Sequence, residues 1–335
     1  MYKQFDQKTE ISQRVNTLFE RIVLNSQSFT NDSYVRKYNN ASYYHMSNSL
    51  TGYLGYYQTM FDTTPITSPT ANALCDISFG MSTGSTHYAT TVVQQAEKNN
   101  IYKIMANTLL GSPTKQFSWA GTTYSDLFFV TFKRNVFKDY FRDRYYTMWL
   151  SASSGGPTNT LTASDSCATT LGEEYAGNYG ALFSCSSGVV QGLCFYNAGV
   201  VALATTSFYG PYFSGSWHMN DLLTGSTIDC VVDGVRNHIR YVDIHPATRI
   251  HSTVYKCVLF DKEYNYSSNP TYTDDTGLIR VMSGSLSLTP QESRTYITSI
   301  GGYDDLDNLL WVAKLSSPLL KNASLSTILS VRLDY

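Results

Sequence analysis

The sequence predicts an α+β protein, with N-terminal helices followed by a predominantly antiparallel, β-sandwich-like sheet in the C-terminal part. Three observations predict it. Apolar residues recur at helical spacing near the N-terminus and again over 90–113. Beyond Phe117 the apolar residues alternate or run together in short, strand-length stretches. Turns bearing Gly, Asn and Asp separate those stretches. Helices first and strands later is the pattern of segregated elements, unlike the alternation of α/β chains.

Taken in order, Ile11, Val15, Leu18, Phe19, Ile22 and Val23 form one stripe of a helix over 7–25, with Glu10, Arg14, Glu20 and Arg21 mostly off it. From 26 to about 70 the chain is polar, rich in Asn, Ser, Thr and Tyr, and has no sustained period. Its many aromatics argue against plain disorder, so it reads as a long ordered excursion or as a segment that orders against a partner. "ALCDISFG" (73–80) is a buried strand. The clearest helix is 90–113, with Val93, Ala96, Ile101, Ile104 and Met105 on one broad face, Leu109 at its edge, and a stop at Gly111 and Pro113.

"LFFVTF", "YYTMWLSA", "GALFSC" and "GLCFYNAGVVALA" follow as strands. In "HSTVYKCVLF" (251–260), Thr253, Tyr255, Cys257 and Leu259 share a face. A hairpin pairs Thr295–Ile300 with Leu309–Leu315 across a turn made by Asp304, Asp305, Asp307 and Asn308. Pro318 is expected to break that ladder, and "TILSVRLDY" closes the sheet with Leu329, Val331 and Leu333 inward. The regions are then 1–115, helical and irregular with the partner-binding excursion, 116–225, β-rich, and 226–335, an antiparallel β module.

Composition narrows the function. Of 335 residues, 42% are hydrophobic and only 15% charged, against the usual quarter, so Ser, Thr, Asn and Tyr must supply the polar surface. The 27 tyrosines suit protein contact surfaces as well as strands. A formal net charge of −2 argues against a nucleic-acid-wrapping surface. No apolar run reaches the roughly 18 residues of a membrane span, and MYKQFDQKTE lacks the apolar core of a signal peptide. None of the six cysteines forms a C-x-x-C pair; they read as buried thiols of a reducing compartment.

Candidate chemistry is sparse. Gly80-Met81-Ser82-Thr83-Gly84 fits G-x-S-x-G, which in a serine hydrolase makes a tight strand-to-helix turn that exposes the nucleophile. Against it, the helix begins several residues late and no run of strands precedes the motif. His238, His245 and His251, with Asp233 and Asp243, are spaced unlike a helical pair or a metal knuckle. His45, His87 and His218 are isolated. Glu173 and Glu174 would face opposite sides of a strand, the wrong arrangement for paired acid–base work. Lys133–Tyr146 interleaves cations and aromatics, but Asp139 and Asp143 dilute the charge, so it reads as an amphipathic segment or a protein contact. A carbohydrate- or receptor-binding module stacking sugars on Trp217 or Trp311 is a further alternative, although Trp311 sits inside an apolar strand and reads as core. The sequence thus assigns no catalytic residue, no metal ligand, no cofactor and no small-molecule substrate.

The C-terminal third carries a resemblance. "HSTVYKCVLFDKEYNYSSNPTYTD" (251–274), "YITSIGGYDDLDNLLWVAKLSSPLLK" (296–321) and the closing "VRLDY" resemble a module of tailed-bacteriophage virion structural proteins associated with the tail and baseplate. In that module a strand, an E-[YF]-N-[YF]-S-x-N-P turn and an "IGLYDDNNELLAVAKLS"-like hairpin come in this order. Gly302 stands where the pattern has Leu, and Trp311 where it has Ala. "CDISFGMS" with "EKNNIYKIMANTLLG", and "GNYGALFSCSSG" with "GVVALATTSF", are weaker echoes. The resemblance implies a non-enzymatic tail, baseplate or fibre-attachment subunit. Such a subunit is assembled in the host cytoplasm and bound to copies of itself and to other virion proteins, without nucleic acid or membrane.

Overall fold

A computed structural model describes residues 6, 8–39, 55–65, 67–89, 91, 93–151, 160–164, 171–184, 189–205, 228–267, 269–270, 272 and 294–335. The chain begins with β1 (Ile11–Phe19), β2 (Ile22–Asn25), α1 (Gln27–Thr30), a 3-10 turn (Asp32–Tyr34), β3 (Val35–Asn39), β4 (Gly55–Phe61) and β5 (Ala73–Met81). Next come α2 (Val93–Leu110), β6 (Phe117–Trp119), β7 (Thr122–Tyr124), β8 (Asp126–Phe132), α3 (Arg134–Phe137), β9 (Tyr140–Phe141), β10 (Thr147–Ser151) and β11 (Thr160–Ser164). The series continues with β12 (Gly172–Glu174), β13 (Gly177–Ser184), β14 (Val190–Phe195), β15 (Val200–Ala204), α4 (Ile228–Arg236) and β16 (Ile239–Ile244). It ends with β17 (Pro246–Leu259), β18 (Arg294–Tyr303), β19 (Leu309–Asn322) and β20 (Thr327–Asp334). No helix among the described residues is long and apolar enough to cross a membrane.

The chain divides into two compact units, Thr17–Thr248 and Met1–Asn16 with Arg249–Tyr335. The larger unit is built on one sheet in the order β2-β16-β10-β11-β13-β14-β15-β8-β5-β4-β3, with β12 added to β13. Its central pairs, β13·β14, β14·β15, β15·β8 and β5·β8, are antiparallel. In β8 and β15 almost every side chain is buried, which is why their sequences run apolar without alternation. The centre is aromatic: Phe117 meets Tyr102, Phe129 and Phe195 with ring centroids 5.4, 5.5 and 5.9 Å away. The helix expected at 90–113 is α2, packed on β5 and ended by Gly111 at φ +78°, whose N–H donates to the Asn107 carbonyl. Its buried face carries Ile101, Tyr102, Ala106 and Leu109, whereas Ala96 and Ile104, expected on that face, are exposed.

The β-rich, antiparallel character agrees with the sequence, but the N-terminal helix does not form. Residues 11–19 and 22–25 are β1 and β2, in register with partners far along the chain: Ile22 faces Ile244 and Val23 faces Asp243 in β16. Val15, Leu18, Phe19 and Val23 are exposed and bury no helical stripe. Ile11, Val15, Thr17, Ile22 and Val23 are β-branched and settle readily into extended backbone, so a weak helical period yields to available strand partners. Within 26–70 the described residues form α1, β3 and β4, and Phe29 and Met60 are fully buried.

In the smaller unit β1, β17 and β20 lie side by side. The pairs Cys257↔Leu329, Tyr255↔Val331 and Thr253↔Leu333 put the alternation read from both sequences on one face. β18 and β19 form a two-stranded sheet of their own. Pro318 does not end the ladder: the register shifts between Ile297↔Leu319 and Ser299↔Lys314, and β19 passes through Pro318 inside that irregularity, where no ladder N–H is required.

Candidate functional site

The serine motif lies at the end of β5. Gly80 is there for packing: a β-carbon at this position would come 2.8 Å from the Tyr102 backbone nitrogen and 2.9 Å from the Phe129 ring, because α2 crosses the strand closely. Ser82 is 4% exposed, its N–H donates to the Ser125 carbonyl at 2.7 Å, and its Oγ accepts the Gly84 N–H at 3.2 Å. Ser82 is not among the described residues with positive φ, and β5 pairs antiparallel with both β4 and β8. A nucleophile elbow needs a strained turn that lifts the serine out of the sheet; this turn folds the hydroxyl onto its own backbone.

Nearby, Ser85 Oγ donates to Asp126 Oδ2 at 2.9 Å, and His87 Nδ1 lies 3.4 Å from the same oxygen and 3.5 Å from Ser85 Oγ. Serine and carboxylate meet one and the same ring nitrogen, whereas a proton relay needs them on opposite nitrogens. The sequence could not show this cluster, since His87 and Asp126 are 39 positions apart. Beneath it Lys98 is fully buried; burial lowers its pKa to about 8, with Asp126 and Cys230 pulling weakly the other way.

The other candidates separate. Asp243 accepts Arg21 Nη2 at 2.7 Å and lies 3.6 Å from His245 Nε2; burial raises its pKa, but the Arg21 and Tyr241 hydrogen bonds outweigh that and hold it below the usual carboxylate range. Asp233 accepts from Arg236 and Gln58, and His251 stacks on Tyr335. Among the described residues no group of three or more His, Cys, Asp or Glu could hold a metal. Glu174 pairs with Lys115 at 2.9 Å while Glu173 is exposed. In 133–146 the cations go to local partners: Lys133 to Asp76, Arg134 to Asp139, and Arg142 over the rings of Phe19 and Tyr145. Cys75 and Cys194 are buried, and burial pushes the Cys75 thiol up, but Cys230 is exposed, against the expectation of buried thiols throughout. His45, His218, Trp217, Cys167 and Cys185 lie outside the described residues.

The most distinctive surface is the β18–β19 hairpin. Its base is fastened. Lys321 is 0% exposed, and its Nζ donates to the carbonyls of Asp261 and Asn322 and to Asn265 Oδ1 at 3.1, 2.8 and 2.9 Å. Thr295 Oγ1 donates to the Tyr264 carbonyl at 2.6 Å. Tyr264 itself takes φ +55°, and Asn265 Nδ2 donates to the Asp261 carbonyl at 2.6 Å, so Asp261, Tyr264 and Asn265 form the socket that receives the hairpin base. Gly302 and Trp311, the two departures from the virion-protein pattern, are cross-strand partners. The Trp311 indole fills the space a β-carbon on Gly302 would need and lies 5.4 Å from Tyr255, so it is half-covered and offers no bare ring for a sugar.

Toward the tip the hairpin turns outward. Leu306, Leu310, Val312 and Leu309 are 77%, 65%, 55% and 52% exposed, with Tyr303 beside them. A β-carbon on Gly301 would touch Tyr303 and Leu309 and sits opposite Val312, which places these three side chains together on one face. The turn is ordered: Asp304 Oδ1 accepts the N–H groups of Leu306 and Asn308, Oδ2 accepts Asn308 Nδ2, and these bonds hold the Asp304 carboxyl below its usual range. Contiguous exposed apolar side chains on a firm strand pair stand out on a surface that is otherwise polar. No family model, curated protein or solved structure matches this chain. Fold and surface together define a class: an antiparallel β protein that presents a fixed apolar hairpin.

Proposed function

We propose that this chain is a structural subunit of a tailed-phage virion, in the tail or baseplate or at the fibre attachment, working through protein–protein contacts. The exposed apolar tip of a base-locked hairpin carries the reading, since a monomeric enzyme gains nothing from leaving such residues in water. The sequence resemblance of the same segment supplies the virion setting. Ser82 folded onto its own backbone, and Ser85, His87 and Asp126 meeting on one ring nitrogen, favour a non-enzymatic role over the serine hydrolase. Peptide mass spectrometry of purified tailed particles tests this: peptides of this chain at constant stoichiometry through repeated banding are expected, and their loss from banded particles overturns it.

A second reading, glycan binding, is favoured by Trp149, 44% exposed and 4.6 Å from the Tyr241 ring. Trp149→Ala abolishing adhesion of the purified chain to host-surface polysaccharide would support it; no adhesion by the native chain removes it.

A further inference from the structure

We infer that the outer face of the hairpin tip docks on the same face of a second copy of this chain, antiparallel and related by a two-fold axis. This rests on the contact-surface reading and names its partner. Three observations carry it.

The first is area. Tyr303, Leu309 and Val312 share a face, and with Leu310 two residues before Val312 and Leu306 in the turn they leave surface on the order of 500 Å² in water per copy, so covering all five in both copies removes about 1,000 Å², the threshold of a specific interface. The second is edge geometry. Among the described residues β18 and β19 pair only with each other. A two-stranded sheet is marginal alone and gains from a partner layer or strand.

The third is charge, which selects the orientation. The tip holds Asp304, Asp305 and Asp307, all exposed or nearly so, whereas Lys314 is exposed three residues beyond Trp311 on the strand leading away from it. Parallel docking would set one acidic tip against the other. Antiparallel docking about a two-fold axis near Trp311 places Lys314 of each copy roughly 10 Å from the axis, and the partner's Asp305, three residues beyond Gly302, lies at about the same distance and within reach of its stem. Like charges meeting costs several kcal/mol and opposite charges fix register. A two-fold contact is self-complementary by construction, so one face carrying both an apolar patch and the two opposite charges suffices.

The test is sedimentation equilibrium of the purified full chain from 1 to about 100 µM, with circular dichroism of every variant to show that it is folded. A concentration-dependent dimer is expected. Leu310→Asp with Val312→Asp should weaken it at least 100-fold. Lys314→Glu alone, and Asp305→Lys with Asp307→Lys, should each weaken it about tenfold, and the two sets combined should restore it. A native chain that is monomeric throughout, or charge changes whose losses add with no rescue, overturns the self-docking. If the monomeric chain still requires Leu310 and Val312 to enter particles, the face meets a different subunit. The contact-surface reading then stands while this inference falls.

Discussion

Replacing Lys321 by Met keeps most of the buried stem and deletes the ammonium that fastens the hairpin. Three charge-assisted bonds, at 2.8, 2.9 and 3.1 Å, are lost, and three acceptors around a fully buried site are left without their donor. Each such bond is worth about 1.5–3 kcal/mol before desolvation, and the cost of burying the ammonium, several kcal/mol, is relieved by the same substitution. The balance is about 3 kcal/mol, toward the lower end measured when one partner of a buried polar pair is removed. That loss acts at the hairpin base, so local opening is the sensitive readout. Hydrogen exchange of peptides covering 309–322 should accelerate about 100-fold, since about 1.4 kcal/mol is a factor of ten. Ser316→Ala, on an exposed stretch of the same strand, serves as the control and should change exchange little. If Lys321→Met leaves exchange in 309–322 within a few-fold of the native chain, the socket does not hold the hairpin and the reasoning fails.

Other expectations follow from the larger unit. Gly80→Ala should destabilise by about 1–3 kcal/mol in urea titration, because the new carbon meets the α2 backbone, whereas Gly84→Ala, with nothing nearer than 3.4 Å, should cost under about 1 kcal/mol. Ser82→Ala should lose about 1 kcal/mol through the Gly84 N–H and leave any esterase rate of the preparation unchanged; a lost rate would revive the hydrolase. Stability should rise as pH is raised from about 8 toward 10: burial disfavours charged Lys98 in the fold, so the unfolded chain holds more protons in that window. Denaturation midpoints across pH 7–10 should show that rise, and Lys98→Met should flatten it.

Much of the sheet is legible in the sequence for a simple reason. β8 and β15 are covered on both faces and read as unbroken apolar runs, and β17 and β20 alternate because one face is covered. The hairpin announces itself through its acidic turn. The N-terminal strands were hidden because Ile11, Val15, Leu18 and Ile22 fit a helical period by spacing alone, while the partners that make them strands lie more than 200 residues away. Over α2 the helix is legible but its buried face is not: Ala96 and Ile104 are exposed, Leu109 is fully buried, and Lys98 joins the core, since a lysine reads as solvent-facing until the structure shows it buried. Lys321 was missed for the same reason. The contact of His87 with Asp126 has no local signature, and neither does the collision that forces Gly80.

We propose that this chain is built into a particle through its hairpin. Electron cryomicroscopy of purified particles that package this gene tests it most directly. The prediction is density for several symmetric copies at the tail or baseplate, with Leu306, Leu309, Leu310 and Val312 covered by a neighbouring subunit. Particles complete in every copy of their tail and baseplate, with no density for this chain, would contradict it.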